Sequence, residues 1–293
     1  MKKRLLAIIF IFTFLVLPNR SYASDYPNNP DVIKERILNE SKTVSQEIIK
    51  EIDDKEISYS INENAKNIPI LMFHEVGYSP NKEYQDANYI LKEGLESKLM
   101  YLSGNGYTTI TMNDLYDNWT KGTELPEKPV ILSFDDGYAS HFTYVKDIFN
   151  RFNATGTFYI IQDRLFMDIK DRNLDGLKAL AKSGMEIGVH SYSHPDFRTL
   201  TYDQIYNEVN TSKTFLEENL GIKMFTFSYP YGNYNSASIQ VLKDLGFRTA
   251  VTTRNGVGNP NLFSEDSQLK ISRYNVDLNT SDSDFIKMIN GEY

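Results

Sequence analysis

From Asn67 onward, short apolar runs alternate with stretches in which apolar residues recur at helical spacing. The runs Ile68–Phe73, Thr108–Thr111, Pro129–Phe134, Gly156–Ile161, Met185–His190, Met224–Tyr229, Arg248–Thr252 and Ile271–Val276 have the length and composition of strands. Helical spacing falls between them, near Leu91–Gly104, Tyr144–Phe152, Leu174–Ser183, Tyr202–Asn219 and Ser236–Leu245. Strands alternating with helices over roughly 200 residues predict an α/β fold on a mainly parallel sheet or barrel.

The pattern upstream is different. Residues 24–66 are polar and charged, with Ile33, Ile37, Val44, Ile48, Ile49 and Ile52 spaced mostly as one helical stripe, which predicts a linker containing an amphipathic helix. Before it, Met-Lys-Lys-Arg leads into the apolar run Leu5–Pro18 and then Ser21-Tyr22-Ala23, the layout of a signal peptide cut after Ala23. An uncleaved membrane anchor is the alternative, but this run is interrupted by Thr13 and is short against the ~20 residues a spanning helix needs. The expected organisation is a signal peptide over 1–23, the linker over 24–66 and one catalytic-size domain over 67–293, secreted and without stable membrane insertion after cleavage.

Loss of residues 1–23, which hold four basic residues and no acid, takes the formal charge from −8 to −12. Such a field repels phosphate polymers and argues against nucleic acid as a partner, whereas a neutral or amine-bearing glycan meets no such barrier. The chain has no cysteine, which excludes disulfides, thiolate chemistry, thiolate metal sites and a lipid-attachment cysteine.

Chemistry-bearing residues gather where the predicted strands end. Ser133-Phe134-Asp135-Asp136-Gly137-Tyr138 follows an apolar strand, and two adjacent carboxylates there are costly unless a cation or donors compensate them. By itself the hexapeptide is equally an ordinary solvated Asp-Asp-Gly turn. Two of the four histidines, His190 and His194, lie at the end of a later apolar strand, Met185–Val189, with Pro195 after them favouring a strand-to-loop site over a helix. Asp136, His190 and His194 would form a two-histidine, one-carboxylate metal site with open positions, suited to zinc or another divalent transition metal. Asp135 would then be the general base for a water. Adjacent strand residues face opposite ways, so both carboxylates serve one site only if the backbone turns, a freedom Gly137 supplies. Ser228-Tyr229-Pro230-Tyr231-Gly232 ends a further strand, and its turn could present backbone N–H groups to an oxyanion or be an ordinary turn. His74, ending the first strand, is a candidate general acid that taken alone reads as structural. His141 lies in polar sequence and reads as part of a solvated helix start.

The segments SFDDGY, HSYSH and SYPYG, in this order and each at a strand end, resemble the motifs of carbohydrate esterase family 4, the NodB-homology polysaccharide deacetylases, over roughly residues 67–277. The resemblance implies a distorted (β/α) barrel, a divalent metal that is usually zinc, and hydrolysis of N-acetyl, sometimes O-acetyl, groups on polysaccharides. By motif it makes Asp135 the base, Asp136, His190 and His194 the metal ligands, and the Tyr231 backbone N–H the oxyanion donor. The sequence departs from the family at three points. The arginine that opens the third motif and pairs with the base is Ser228 here, and Arg273 on the last strand is the substitute we expect. No histidine follows His194, so the general acid falls to His74, which a nearly closed barrel brings beside the last strand. This permuted arrangement resembles the poly-N-acetylglucosamine deacetylases. The family's late tryptophan has no counterpart, because Trp119 precedes every motif.

Two histidines and a carboxylate also suit an Fe(II) oxygenase, but that chemistry leaves Asp135 idle. A glycosidase would need its two carboxyl groups ~5 Å or more apart across a glycosidic bond, which adjacent residues hardly provide. A glycan-binding protein on a degenerate esterase fold is the non-enzyme alternative. The expected function is therefore a secreted or cell-wall-associated, monomeric deacetylase of GlcNAc-containing glycan, either peptidoglycan or exopolysaccharide.

Overall fold

The computed structural model describes residues 67–77, 88–166, 173–258 and 265–292, so the signal peptide and linker expected over 1–66 lie outside the described residues. Its strands are β1 (Ile70–Phe73), β2 (Glu75–Gly77), β3 (Tyr89–Leu91), β4 (Tyr107–Ile110), β5 (Lys128–Phe134), β6 (Thr157–Ile160), β7 (Glu186–Val189), β8 (Thr226–Ser228), β9 (Thr249–Val251) and β10 (Tyr274–Asn275). The helices are α1 (Lys92–Gly104), α2 (Met112–Lys121), α3 (Lys146–Phe152), α4 (Leu174–Lys182), α5 (Tyr202–Leu220), α6 (Ser236–Asp244), α7 (Glu265–Gln268) and α8 (Asp282–Asn290).

All pairings in the main sheet are parallel, in the order β10-β1-β5-β6-β7-β8-β9, with β4 beside the first half of β5. A parallel bridge between Val251 and Ile271 ties β9 to the segment entering β10, which completes the ring of a distorted barrel. First and last strands are thus neighbours, with Leu71 opposite Tyr274. The expected last strand, Ile271–Val276, is regular only over Tyr274–Asn275. That segment passes from β9 to β1 within a few residues and cannot run alongside either for long.

Side-chain alternation divides the core. Leu71, Phe73, Val130, Leu132, Phe134, Phe158 and Ile160 pack outward in the larger cluster, while Ile70, Ile131, Tyr159 and Val251 belong to a second one. On β5 this inner face continues through Ser133 to Asp135, whose N–H still bonds to the Phe73 carbonyl at 2.9 Å. The inner face therefore becomes polar toward the strand ends.

The apolar pattern missed α2 because only Met112, Leu115, Asn118 and Trp119 are buried along it. Its boundaries were nonetheless written locally, in a Thr111–Asp114 capping box and a left-handed Gly122 cap.

Gly188 sits where a side chain has no room, since an added Cβ would lie 2.5 Å from the Tyr159 ring and 2.9 Å from Thr226 Cγ2. Tyr159 in turn donates to, or accepts from, Thr226 Oγ1 at 2.8 Å, so it cannot swing aside freely. Gly188→Ala should lower stability by about 1–3 kcal/mol, the usual cost of overpacking, read as a reduced denaturant midpoint at unchanged slope.

Candidate active site

The inner polar residues meet the loops that leave β1, β5, β7 and β8. Asp136, His190 and His194 each offer one ligand atom, and these atoms lie within 4.8 Å of one another. The Asp136 Oδ1 atom is 3.4 Å from His190 Nε2 and 3.7 Å from His194 Nε2. Bonds of about 2.0–2.2 Å at tetrahedral angles separate neighbouring donors by roughly 3.4 Å, so the trio has the spacing of a divalent-metal site. The tautomer also fits. His190 Nδ1 lies 2.7 Å from the Ser228 carbonyl, which can only accept, so Nδ1 carries the hydrogen and Nε2 presents its lone pair to Asp136 and His194. Burial, reinforced by His190, pushes His194 down to about 4, keeping it neutral at neutral pH. Burial alone would raise Asp136, but His190 and Arg164 hold it well below the ordinary carboxylate range.

The local backbone explains how adjacent aspartates reach one site. The chain turns left-handed at Asp136 itself (φ 76°) as well as at Gly137 (φ 63°), so the turn expected of the glycine begins one residue earlier. Ser191, His194 and Tyr231 are also left-handed, at φ 64°, 64° and 57°. Among the described residues, only Asn153, a helix cap, is a non-glycine of this kind outside the motifs. Such conformations cost about 1–3 kcal/mol each and persist where surrounding contacts enforce them.

Asp135 is held by Arg273, which is fully buried. The guanidinium donates from Nη1 to Asp135 Oδ1 at 2.8 Å and from Nη2 to Oδ2 at 2.6 Å, a bidentate pair. The same group donates to Ser133 Oγ and Ser228 Oγ, both at 3.1 Å, and through Nε to the Thr252 carbonyl at 3.0 Å. Ser228 Oγ donates onward to Asp135 Oδ2 at 3.0 Å. Burial would raise Asp135, yet the charge and hydrogen bonds of Arg273 bring it down to about 2.

His74 follows β1, and its Nδ1 is buried without a hydrogen-bond partner among the described residues. Burial lowers its pKa while the nearby Asp135 and Asp136 oppose the shift. His141 is not in a solvated helix start: it is fully buried in a π-helical turn, among Phe134, Tyr138 and Phe158. Its Nε2 donates to the His74 carbonyl at 2.8 Å, so the polar sequence around it concealed an internal tie. Tyr231 is 60% exposed, with its ring 4.5 Å from that of His194. Trp119 is buried in the second core cluster with Met112, Leu115 and Ile131. Sequence reading missed Arg164, which lies 3.3 Å from Asp136 Oδ2, because no motif or periodicity marks the short turn that carries it.

Residues 122–250 match the family model for polysaccharide deacetylase. Over 256 residues it is 24% identical to YxkH of Bacillus subtilis (strain 168), itself named only as a candidate polysaccharide deacetylase, covering 87% of this chain and 88% of that protein. It is 31% identical over 130 residues to the peptidoglycan-N-acetylmuramic acid deacetylase PdaA of the same organism, covering 42% of this chain. That match spans 46% of PdaA, under half of its length. The Streptococcus pyogenes deacetylase PplD, solved in complex with acetate, shares the fold at a TM-score of 0.71 and 23% identity, covering 77% of this chain and 99% of that one.

Arg273→Leu would leave Asp135 as a buried charge without its partner, which should cost about 3–5 kcal/mol at pH 7 in chelator-treated protein. In the wild type the Asp135 contribution is complete above its unfolded value of 3.8 and is lost as pH falls through about 2. In Arg273→Leu an unpaired, buried Asp135 gains by taking a proton, so denaturation curves should show a smaller deficit at pH 4 than at pH 7.

Proposed function

We propose that this protein is an exported, metal-dependent polysaccharide N-deacetylase that removes acetyl groups from GlcNAc-containing bacterial glycan. The observation that carries the reading is the convergence of Asp136, His190 and His194 on one point, with Asp135 next in sequence and locked by Arg273. Export is inferred from residues 1–23, and the glycan class from the family together with the peptidoglycan substrate in the name of PdaA. The Arg273–Asp135 pair favours an enzyme over a degenerate binding fold, since it supplies the base partner that Ser228 does not.

Asp136, His190 and His194 would hold the ion, which when bound would polarise the acetamide carbonyl and acidify a water in the site. Asp135 is ionised and oriented to take the proton of the attacking water, with Arg273 and Ser228 fixing both its oxygens. The Tyr231 N–H, in its left-handed turn, is the donor assigned to the developing oxyanion. The C–N bond breaks only if the leaving nitrogen is protonated, and His74 is the group assigned to deliver that proton. The products are acetate and a free amino sugar.

Acetate release from a GlcNAc oligomer without change in chain length tests the reading; binding without acetate would sink it. Asp136→Ala, His190→Ala and His194→Ala should each lose zinc as well as activity in metal analysis, whereas Asp135→Asn should keep zinc and turn over ~100-fold more slowly or worse. His74→Ala should also keep metal and fold while amide turnover drops by roughly 100-fold or more. Its activated-ester hydrolysis should fall much less, because a good leaving group needs no proton. Equal losses on amide and ester would send the search for the acid elsewhere.

A further inference from the structure

The loop between the two histidines is strained at both ends, with Ser191 and His194 left-handed. Something must hold it. Within the loop, Ser191 Oγ accepts from the His194 N–H at 2.9 Å. From outside the loop, the Gln162 and Asp163 N–H groups donate to the carbonyls of Ser191 at 3.3 Å and Tyr192 at 3.0 Å, and the amide side of the loop is met by one side chain, Glu208 on the second turn of α5. Its Oε2 accepts from the backbone N–H groups of Tyr192 at 3.1 Å and Ser193 at 2.9 Å, and its Oε1 accepts from Ser193 Oγ at 2.8 Å. These contacts fall on the two residues between the strained positions, so one carboxylate fastens the middle of the loop to a nineteen-residue helix. Tyr192 and Ser193 are themselves exposed, so the loop's middle is held chiefly by these polar ties.

We propose that Glu208 is a positioning residue of the metal centre: it holds the His190–His194 loop in the one conformation that turns His194 toward Asp136, and so sets metal affinity. The inference rests on reading Asp136, His190 and His194 as metal ligands. Its physical basis is reach rather than charge. A glutamine can reproduce every contact, its Oε1 accepting from both backbone N–H groups and its Nε2 donating to Ser193 Oγ. An aspartate keeps the charge but is one methylene too short to span from the helix to the loop.

Zinc affinity, measured by competition with a chromophoric chelator, separates these cases, with the melting temperature of each zinc-free variant as the check on folding. Glu208→Ala should bind zinc about 10–100-fold more weakly, the range seen when an outer partner of a metal ligand is removed. Glu208→Gln should stay within about threefold of wild type, and Glu208→Asp should lose about tenfold or more despite its charge. Wild-type affinity in Glu208→Ala or Glu208→Asp would overturn the proposal, as would a loss in Glu208→Gln equal to that in Glu208→Ala, which would mark the effect as electrostatic. A wild-type protein that binds no zinc would instead sink the metal-centre reading itself, and this inference with it.

Discussion

A fully buried arginine is tolerable only where its donors meet acceptors, and Arg273 meets that condition inside the barrel. Its partners lie on and just after β5, at the end of β8 and just after β9, while its own segment leads into β10. Removing two charges from water costs several kcal/mol per ion, and only a bidentate pair with its remaining donors satisfied offsets that. Ring closure and the fixing of Asp135 are consequently one interaction. A barrel seam that opened would strand Asp135, and an Asp135 that moved would leave Arg273 buried and unpaired.

Around that anchor the site is assembled from strained turns. Asp136 would face away from Asp135 if β5 simply continued, and its left-handed backbone reverses it. His194 is brought back toward His190 by the same device. Asp196 and Asn235 add ties between loops: Asn233 donates to Asp196 Oδ2 at 3.1 Å, and Asn235 donates to the Phe197 carbonyl at 2.7 Å. The loops after β7 and β8 are therefore braced against each other as well as against α5. A site whose geometry is set before substrate arrives avoids reorganising charge during the reaction.

His141 and Arg164 show how much of the surroundings is invisible in sequence. His141 sits in a polar stretch, yet the π-helical turn rotates it inward to hold the His74 carbonyl. Arg164 occupies an isolated turn, and its approach to Asp136 Oδ2 leaves Oδ1 as the oxygen that faces the histidines.

By itself the sequence determined the alternation of strands and helices, the parallel barrel and the strand ends at which Asp135, Asp136, His190, His194 and Tyr231 lie, because these depend on local periodicity and on short motifs. It also pointed to His74 by elimination among four histidines, and to Arg273 by its place on the last apolar strand beside the barrel seam. It did not yield α2, whose narrow buried stripe leaves little periodic signal, or the inward position of His141. Tertiary structure alone decided that Arg273 reaches across to Asp135, that the turn starts at Asp136, and that Glu208 grips the histidine loop. Each of these depends on contacts between segments far apart in the chain, or on a backbone conformation that only such contacts can sustain.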